Sequence, residues 1–486
     1  VETVDKIAGD LYKDGQAPQY FDTIEQERLV ATKQIQAILG HVIHPSEPLK
    51  KPLSEYAKET LARPHRGLPN GATIINDGCH KCKALKYYVT DACEGCVARP
   101  CITNCPKKAI SRVGGKAQID QKLCISCGMC AKNCPYDAIL NRKVPCMDDC
   151  PVDAISKDKD NNSVVDPAKC IHCGRCTIRC PFGVIVMPSQ IIDVLQRIKE
   201  GKKVVAMPAP AAMVQFNGTV AQLRQACLKL GFSDMVEVAL GADTTSITEA
   251  QEFLEHVATG KQPLMATSCC PAWVRAVRVH IPELAGYVSN TGSPMKYTGD
   301  LVKQKDPEAI TVFVGPCTAK RTEASYIENT DYVLTSEELQ NAFAAAEIDV
   351  VKMPKEDKLQ QRLPSQESTV YCLKEAVTAA VVSAVPKATD RIKEHGEEHE
   401  SGGKAPIGLK PIFVSPLDKK SFKQVKLWGS KPSTIPGNLI ECMCCDGGCV
   451  AGPGNMLPST SGGAKAKALL KDRPLYKDIE DVTSLN

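Results

Sequence analysis

The chain has 486 residues, 25 of them cysteine and only 9 histidine, with 43% hydrophobic and 24% charged residues. That length buries a core without disulfide staples, and cysteine at about 5% falls below the density of a small disulfide scaffold. A net charge of +4 is too slight to single out nucleic acid, no apolar run reaches the roughly 20 residues of a membrane span, and residues 1–10 lack a signal-peptide layout, so metal chemistry in the cytoplasm is the expected class.

In chain order, residues 1–70 read as a helical segment free of chemistry. Ile35, Ile38, Leu39 and Val42 recur at helical spacing, and Arg63-Pro64 and Gly67-Leu68-Pro69 mark a boundary. Residues 71–187 hold sixteen of the cysteines, from Cys79 to Cys180, among short loops. Ile191, Ile192, Leu195 and Ile198 predict an amphipathic helix leading into residues 188–486. Beyond it, β-branched runs predict strands at 204–207, 235–240, 264–267, 310–314, 332–335, 350–353, 370–373 and 411–414. Helical patterns at 220–230 and 248–258 lie between them. Such alternation predicts parallel α/β layers, whose ligands gather in the loops after strand C-termini. Cys269, Cys270 and Cys317 follow such strands.

Within the cysteine-dense segment, two stretches carry the spacing C-x2-C-x2-C-x3-C-P of bacterial ferredoxins. They are Cys124, Cys127, Cys130, Cys134, Pro135 and Cys170, Cys173, Cys176, Cys180, Pro181. A cubane takes three thiolates from one loop and borrows the cysteine before proline from another half. The expected groups are therefore Cys124, Cys127, Cys130 with Cys180, and Cys134 with Cys170, Cys173, Cys176. Zinc more often takes two CxxC pairs and asks for no such proline. Eight cysteines remain, enough for two more cubanes. Cys93, Cys96 and Cys101 are expected to join Cys150, and Cys79, Cys82 and Cys146 to join Cys105, with a zinc at Cys79 and Cys82 as the alternative. Cubanes in series make a wire for single electrons.

Three fragments of the α/β region supply a destination for those electrons: Thr267-Ser268-Cys269-Cys270-Pro271-Ala272-Trp273, Gly315-Pro316-Cys317-Thr318-Ala319-Lys320-Arg321-Thr322-Glu323 and Glu441-Cys442-Met443-Cys444-Cys445-Asp446-Gly447-Gly448-Cys449. Together and in this order they resemble the signature motifs of [FeFe]-hydrogenases. With the ferredoxin halves the resemblance covers residues 120–455. It implies an α+β, ferredoxin-like dicluster iron–sulfur region followed by an α/β, two-lobed catalytic domain with its site between the lobes.

The resemblance further implies that Cys270, Cys317, Cys445 and Cys449 hold the cubane of an H-cluster. Cys449 would bridge to a two-iron unit carrying CO, cyanide and an azadithiolate. Cys269 would pass protons rather than ligate, and Lys320 would hydrogen-bond a cyanide, with Glu323 as a structural ion-pair partner. Met443, Ser293 and Pro210 would contact the cofactor. A proton route would run through Glu252, Ser289, Glu249 and Cys269. The residues alone offer a second reading of Glu249, because Ser246-x-x-Glu249 also has the form of a helix capping box. Implied partners are H2 and protons, ferredoxin or a similar one-electron carrier, and maturation proteins that insert the two-iron unit.

Several positions depart from the better-studied members: Gly315 stands for a Met, Ala211 for a Ser, Met295 for a Gln and His256 for an Arg, and Gly452-Pro453-Gly454-Asn455 replaces a Gly-Gly-Gly-Gln run. The departures point to the branch called group B, and loss of a hydrogen bond and a packing wall would retune the cluster and access to it. The expected function is interconversion of H2 with protons and electrons. The alternatives are a hydrogen sensor of low turnover and an iron–sulfur assembly relative lacking the two-iron unit. His395-Gly-Glu-Glu-His399 matches an inverted zinc-protease motif, but its charged surroundings have no apolar face and predict a solvated loop.

Overall fold

Two parallel sheets, each built from runs of buried aliphatic residues, carry the second half of the chain. A computed structural model describes residues 1–44, 49–64, 71–79, 82, 87–356, 362–394 and 408–485. The first sheet has four parallel strands in the order Asp234–Met235, Val204–Pro208, Ile310–Gly315, Tyr332–Thr335. The second has three, in the order Met265–Ala266, Leu439–Cys442, Pro411–Val414. Val204–Pro208 and Leu439–Cys442 are buried at every position. That is the pattern of strands covered on both faces. Each sheet has its own core, one around Phe343, Tyr332 and Leu223, the other around Trp273, Val277 and Val425.

The iron–sulfur region is built differently, from two copies of one small plan. In the first, the hairpin Ile110–Val113/Lys116–Ile119 sits in the middle and the flanking strands Tyr87–Val89 and Ile139–Asn141 pair antiparallel. In the second, the hairpin is Ile155–Lys157/Ser163–Val165 and the flanking strands are Thr73–Ile74 and Ile185–Val186. The post-proline turns repeat too. Lys108, Asp137, Asp153 and Gly183, each two residues after a proline, all have positive φ between 48° and 61°.

Several expectations need correction. Residues 235–240 are not a strand beyond Met235, because the helix Ala239–Glu252 begins there. It is buried nearly all round, and a short apolar run of that kind does not reveal its period. Residues 350–353 form a 3₁₀ turn, Val350–Lys352, with Asp349 accepting from Val351 N–H. Residues 370–373 follow the short helix Gln366–Thr369 as turns, with only Leu373 bridging to Gly448. The strand Leu439–Cys442 went unpredicted, since Glu441 interrupts its apolar run. In the N-terminal helix Ile24–Ile38 the buried face is Val30, Ala31, Ala37 and Lys33, whereas Ile38 is exposed. That helix shares a core with Ile74, Cys79 and Val184, so packing runs across the expected boundary near residue 70. His395 to His399 lie outside the described residues.

Candidate active site

The C-terminal ends of strands from both sheets point at one cavity of about 80 Å3. Val204–Pro208 delivers Pro210 and Ala211, Ile310–Gly315 delivers Cys317, and Met265–Ala266 delivers Cys269 and Cys270. Leu439–Cys442 delivers Met443 and Cys449. Lys320 and Met295 also line it. Cys445 sits just behind, and its sulfur is close enough to those of Cys449, Cys317 and Cys270 that each charge would raise its pKa. Gly447 and Gly448, at φ +82° and +100°, carry the chain between the last two thiols, and a Cβ at Gly448 would lie 2.4 Å from Cys372 O. Only glycine fits that approach.

Burial pushes the Cys317 thiol up to about 12 and raises Cys445 and Cys449 too. Cys270 goes the other way. A hydrogen bond shared with the Cys444 thiol, opposed by burial and aided by the Cys444 and Trp273 N–H groups, brings it down to about 6. Cys444 is thus a neighbour of the site that sequence reasoning left without a role. Four buried thiols around one cavity suit iron rather than solvent, and a cubane pays the cost of their deprotonation by coordination. The donor set therefore fits an iron–sulfur cluster.

Lys320 is 7% exposed, which excludes a solvated helix lysine. Its Nζ donates to Glu323 Oε2 at 2.5 Å, Ser293 Oγ at 2.9 Å and Cys269 O at 3.4 Å. Ser293 is buried, and its hydroxyl accepts that bond from Lys320. The departure at Gly315 has a neighbour on its own strand. A Cβ there would meet the Phe313 ring at 2.4 Å, and Phe313 itself lines the cavity. Residues two apart on a strand share a face, so Phe313 occupies the space that a side chain at 315 would take.

Glu249 is fully buried in the middle of the helix Ala239–Glu252. The capping-box reading therefore fails: Ser246 lies inside the helix and donates to Ala242 O at 2.8 Å. Glu249 Oε1 accepts from Ser268 N–H at 3.0 Å and Ser268 Oγ at 3.4 Å. Burial pushes its carboxyl up to about 8. Glu252 ends the helix, and the chain passes at once into a π-helical turn, Phe253–Ala258, an irregularity common at functional sites. Glu252 Oε2 accepts from Ser289 Oγ at 2.6 Å. Among the described residues no hydrogen bond joins Ser289 to Glu249 or Glu249 to Cys269.

The accessory cysteines neighbour one another in groups other than the expected ones. Cys105, Cys124, Cys127 and Cys130 line one small pocket. Cys101 lies beside Cys134 and Cys96. Cys170, Cys173 and Cys176 each lie beside Cys150. Cys146 lies beside Cys79 and Cys180, and Cys82 beside the same two. Cys180 thus joins Cys79, Cys82 and Cys146 instead of Cys124, and Cys134 joins Cys101 instead of Cys170. The exchange of the fourth cysteine is real, but it occurs between halves joined by one hairpin. The two perfect motifs belong to different modules, each paired with a degenerate neighbour. Backbone N–H groups approach the sulfurs at equivalent places: Ala109 to Cys105 at 3.2 Å, Ala154 to Cys150 at 3.3 Å, Ser126 to Cys124 and His172 to Cys170 at 3.4 Å.

The module nearer the cavity is fastened to the catalytic sheets. His172 Nδ1 meets Thr322 Oγ1 at 2.6 Å, Arg275 Nε donates to Cys170 O at 2.7 Å, and Arg175 donates to Cys444 O at 3.2 Å while pairing with Asp149 at 2.7 Å. Cys173 is close enough to Cys445 to bear on its charge.

Residues 202–453 match the family described as iron only hydrogenase large subunit, C-terminal domain, and residues 117–140 and 162–185 match 4Fe-4S binding domains. The chain is 31% identical over 379 residues to the periplasmic [Fe] hydrogenase large subunit of Nitratidesulfovibrio vulgaris, covering 69% of this chain and 85% of that protein. Iron hydrogenase 1 of Clostridium pasteurianum is 28% identical over 46% of this chain and 44% of its own length. A probable cytosolic Fe-S cluster assembly factor of Drosophila mojavensis is 25% identical over 52% of this chain and 60% of its own. Among the described residues no helix is long and apolar enough to cross a membrane. With its family match spanning more than half the chain, over the same residues that bring the buried thiols to one cavity, the chain belongs to the [FeFe]-hydrogenase family.

Proposed function

We propose that the protein is a working [FeFe]-hydrogenase that interconverts H2 with two protons and two electrons. The observation that carries this reading is the shared cavity: Cys269 and Lys320 line it together with the thiols of Cys270, Cys317 and Cys449. A protein that held only a cubane would have no use for the buried ammonium or the extra thiol. When bound, an H-cluster held by Cys270, Cys317, Cys445 and Cys449 would supply the redox chemistry. The residues do the rest. Lys320, fixed by Glu323 and Ser293, presents a positive charge to an anionic ligand. Met443 and Pro210 wall the cavity. Glu252 and Ser289 hold a proton at the outer end of a route, and Glu249, neutral at pH 7, holds one at the inner end. Cys269 exchanges it with the cavity.

Electrons would pass through four cubanes in residues 71–187, held by Cys93, Cys96, Cys101, Cys134; Cys105, Cys124, Cys127, Cys130; Cys79, Cys82, Cys146, Cys180; and Cys150, Cys170, Cys173, Cys176. The last group lies next to Cys445, at the catalytic end of the wire. Residues 1–70 would brace that region and residues 188–486 house the chemistry. Ferredoxin or a similar one-electron carrier is the proposed partner, maturation proteins supply the two-iron unit, and the many unpaired thiols suit the cytoplasm.

Likeness to an assembly factor keeps a second reading in view, a protein with cubanes and no two-iron unit. Infrared spectroscopy of the matured protein decides between them. CO and cyanide bands are expected, and their absence would sink the hydrogenase reading. Turnover with reduced ferredoxin then separates an enzyme from a sensor, which would show the bands and evolve little H2.

A further inference from the structure

The proton route as read above has a gap at its inner end. Glu249 spends Oε1 on Ser268, while its Oε2 is buried without a hydrogen-bond partner. Among the described residues that line the cavity, Tyr371 shares that condition at its hydroxyl. Tyr371 is 6% exposed, lines the cavity, and packs in one cluster with Cys269, Met443 and Ala242. The Ser246 hydroxyl, which donates to Ala242 O at 2.8 Å, also bears on the phenol as a hydrogen-bonding neighbour. After burial itself, the groups that bear most on the phenol's charge are Glu249 and then Cys269, so the hydroxyl lies in reach of both fields. Both oxygens are buried, and they lie near the break in the route. The same surroundings hold the phenol well above its ordinary pKa, so it stays neutral.

We propose that the Tyr371 hydroxyl is the link that hands protons between Glu249 and Cys269. This rests on the reading of Cys269 as the inner terminus of the route. Inward, once the Cys269 thiol has given its own proton to the cavity, the phenol oxygen takes the proton of the Glu249 carboxyl as its O–H proton passes to the Cys269 sulfur. One O–H bond breaks and one forms at the phenol, one S–H bond forms, and the carboxyl becomes a carboxylate. No electrons move, and the phenol is neutral before and after. A ring locked by Val377, Ala380 and Met443 holds the oxygen in place without needing an ordered water. The sequence pattern concealed this residue because 370–373 reads as a strand.

The test uses the full-length protein and Tyr371→Phe, which keeps the ring and loses the hydroxyl. In protein without the two-iron unit, the C=O stretch of the protonated Glu249 carboxyl, identified by its loss in Glu249→Gln, is expected to move to higher frequency in Tyr371→Phe. An unmoved band overturns the link. In matured protein, turnover is expected to fall at least tenfold with an altered solvent isotope effect and with CO and cyanide bands in place. Wild-type turnover overturns the proposal, and so do shifted cyanide bands, which would put the hydroxyl on the two-iron unit instead. A fluorinated tyrosine at position 371, with packing kept and acidity changed, is expected to alter the isotope effect. If no CO or cyanide bands form in the wild type, the hydrogenase reading falls, while the carboxyl band still decides whether Tyr371 reaches Glu249.

Discussion

The two halves of this molecule gather their cysteines in different ways. In the iron–sulfur region the thiols sit in short loops at graded depth: Cys127 is exposed, Cys79, Cys101, Cys130 and Cys146 are buried, and burial pushes Cys173 up to about 12. At the catalytic cavity, burial raises Cys317, Cys445 and Cys449, and hydrogen bonds lower Cys270. What sets the cavity apart is the acid beside it: Glu249 is wholly buried, out of reach of bulk water. The first half is modular, two copies of one plan. The second converges on one place from two sheets.

Single substitutions should expose that difference. Cys269→Ala is expected to cost about 10³-fold or more in turnover while CO and cyanide bands persist; activity like that of the wild type would show the enclosed half to be as tolerant as the other. Glu249→Gln is expected to cost about 10²-fold. It also carries a pH signature in protein without the two-iron unit. The folded carboxyl keeps its proton up to about 8 where the unfolded one loses it near 4.5, so the native state binds the extra proton between those values. Stability from this group is greatest at low pH and falls as pH rises through that window. Urea titrations at about pH 5 and about pH 8 should show the decline in the wild type and lose it in Glu249→Gln.

In the modular half the effect should stay local. Fully loaded protein is expected to hold about 22 irons, and Cys180→Ser should remove about four, those of the group with Cys79, Cys82 and Cys146. Electron paramagnetic resonance that instead lost the cluster at Cys124, Cys127 and Cys130 would restore the grouping expected from the motifs. The smallest effect is packing alone: Gly315→Ala should cost about 1–3 kcal/mol, because its Cβ meets the Phe313 ring. An unchanged melting temperature would mean the ring moves aside freely.

Motif spacing picked out the eight thiols of the two perfect halves, because cubane ligation is written as local loop geometry, with three cysteines and a proline in a dozen residues; the variant halves came from the remaining count, and the four thiols at the cavity from the family resemblance. Strands such as Val204–Pro208 and Ile310–Gly315 were legible for a similar reason: β-branched runs bounded by turns report burial directly. What the sequence could not carry was anything settled by long-range pairing. The partner of Cys180 depends on which hairpin joins two halves, and both perfect motifs look equally good in one dimension. The place of Glu249 inside a helix rather than at its cap depends on the helix starting at Ala239. Tyr371 and Phe313 lie outside every motif and Cys444 has no assigned role within one, and they matter only because packing brings Tyr371 and Phe313 to one cavity and Cys444 to Cys270. Ligand chemistry is local and survives in the sequence; the enclosure that decides charge, proton order and cluster grouping is a property of packing.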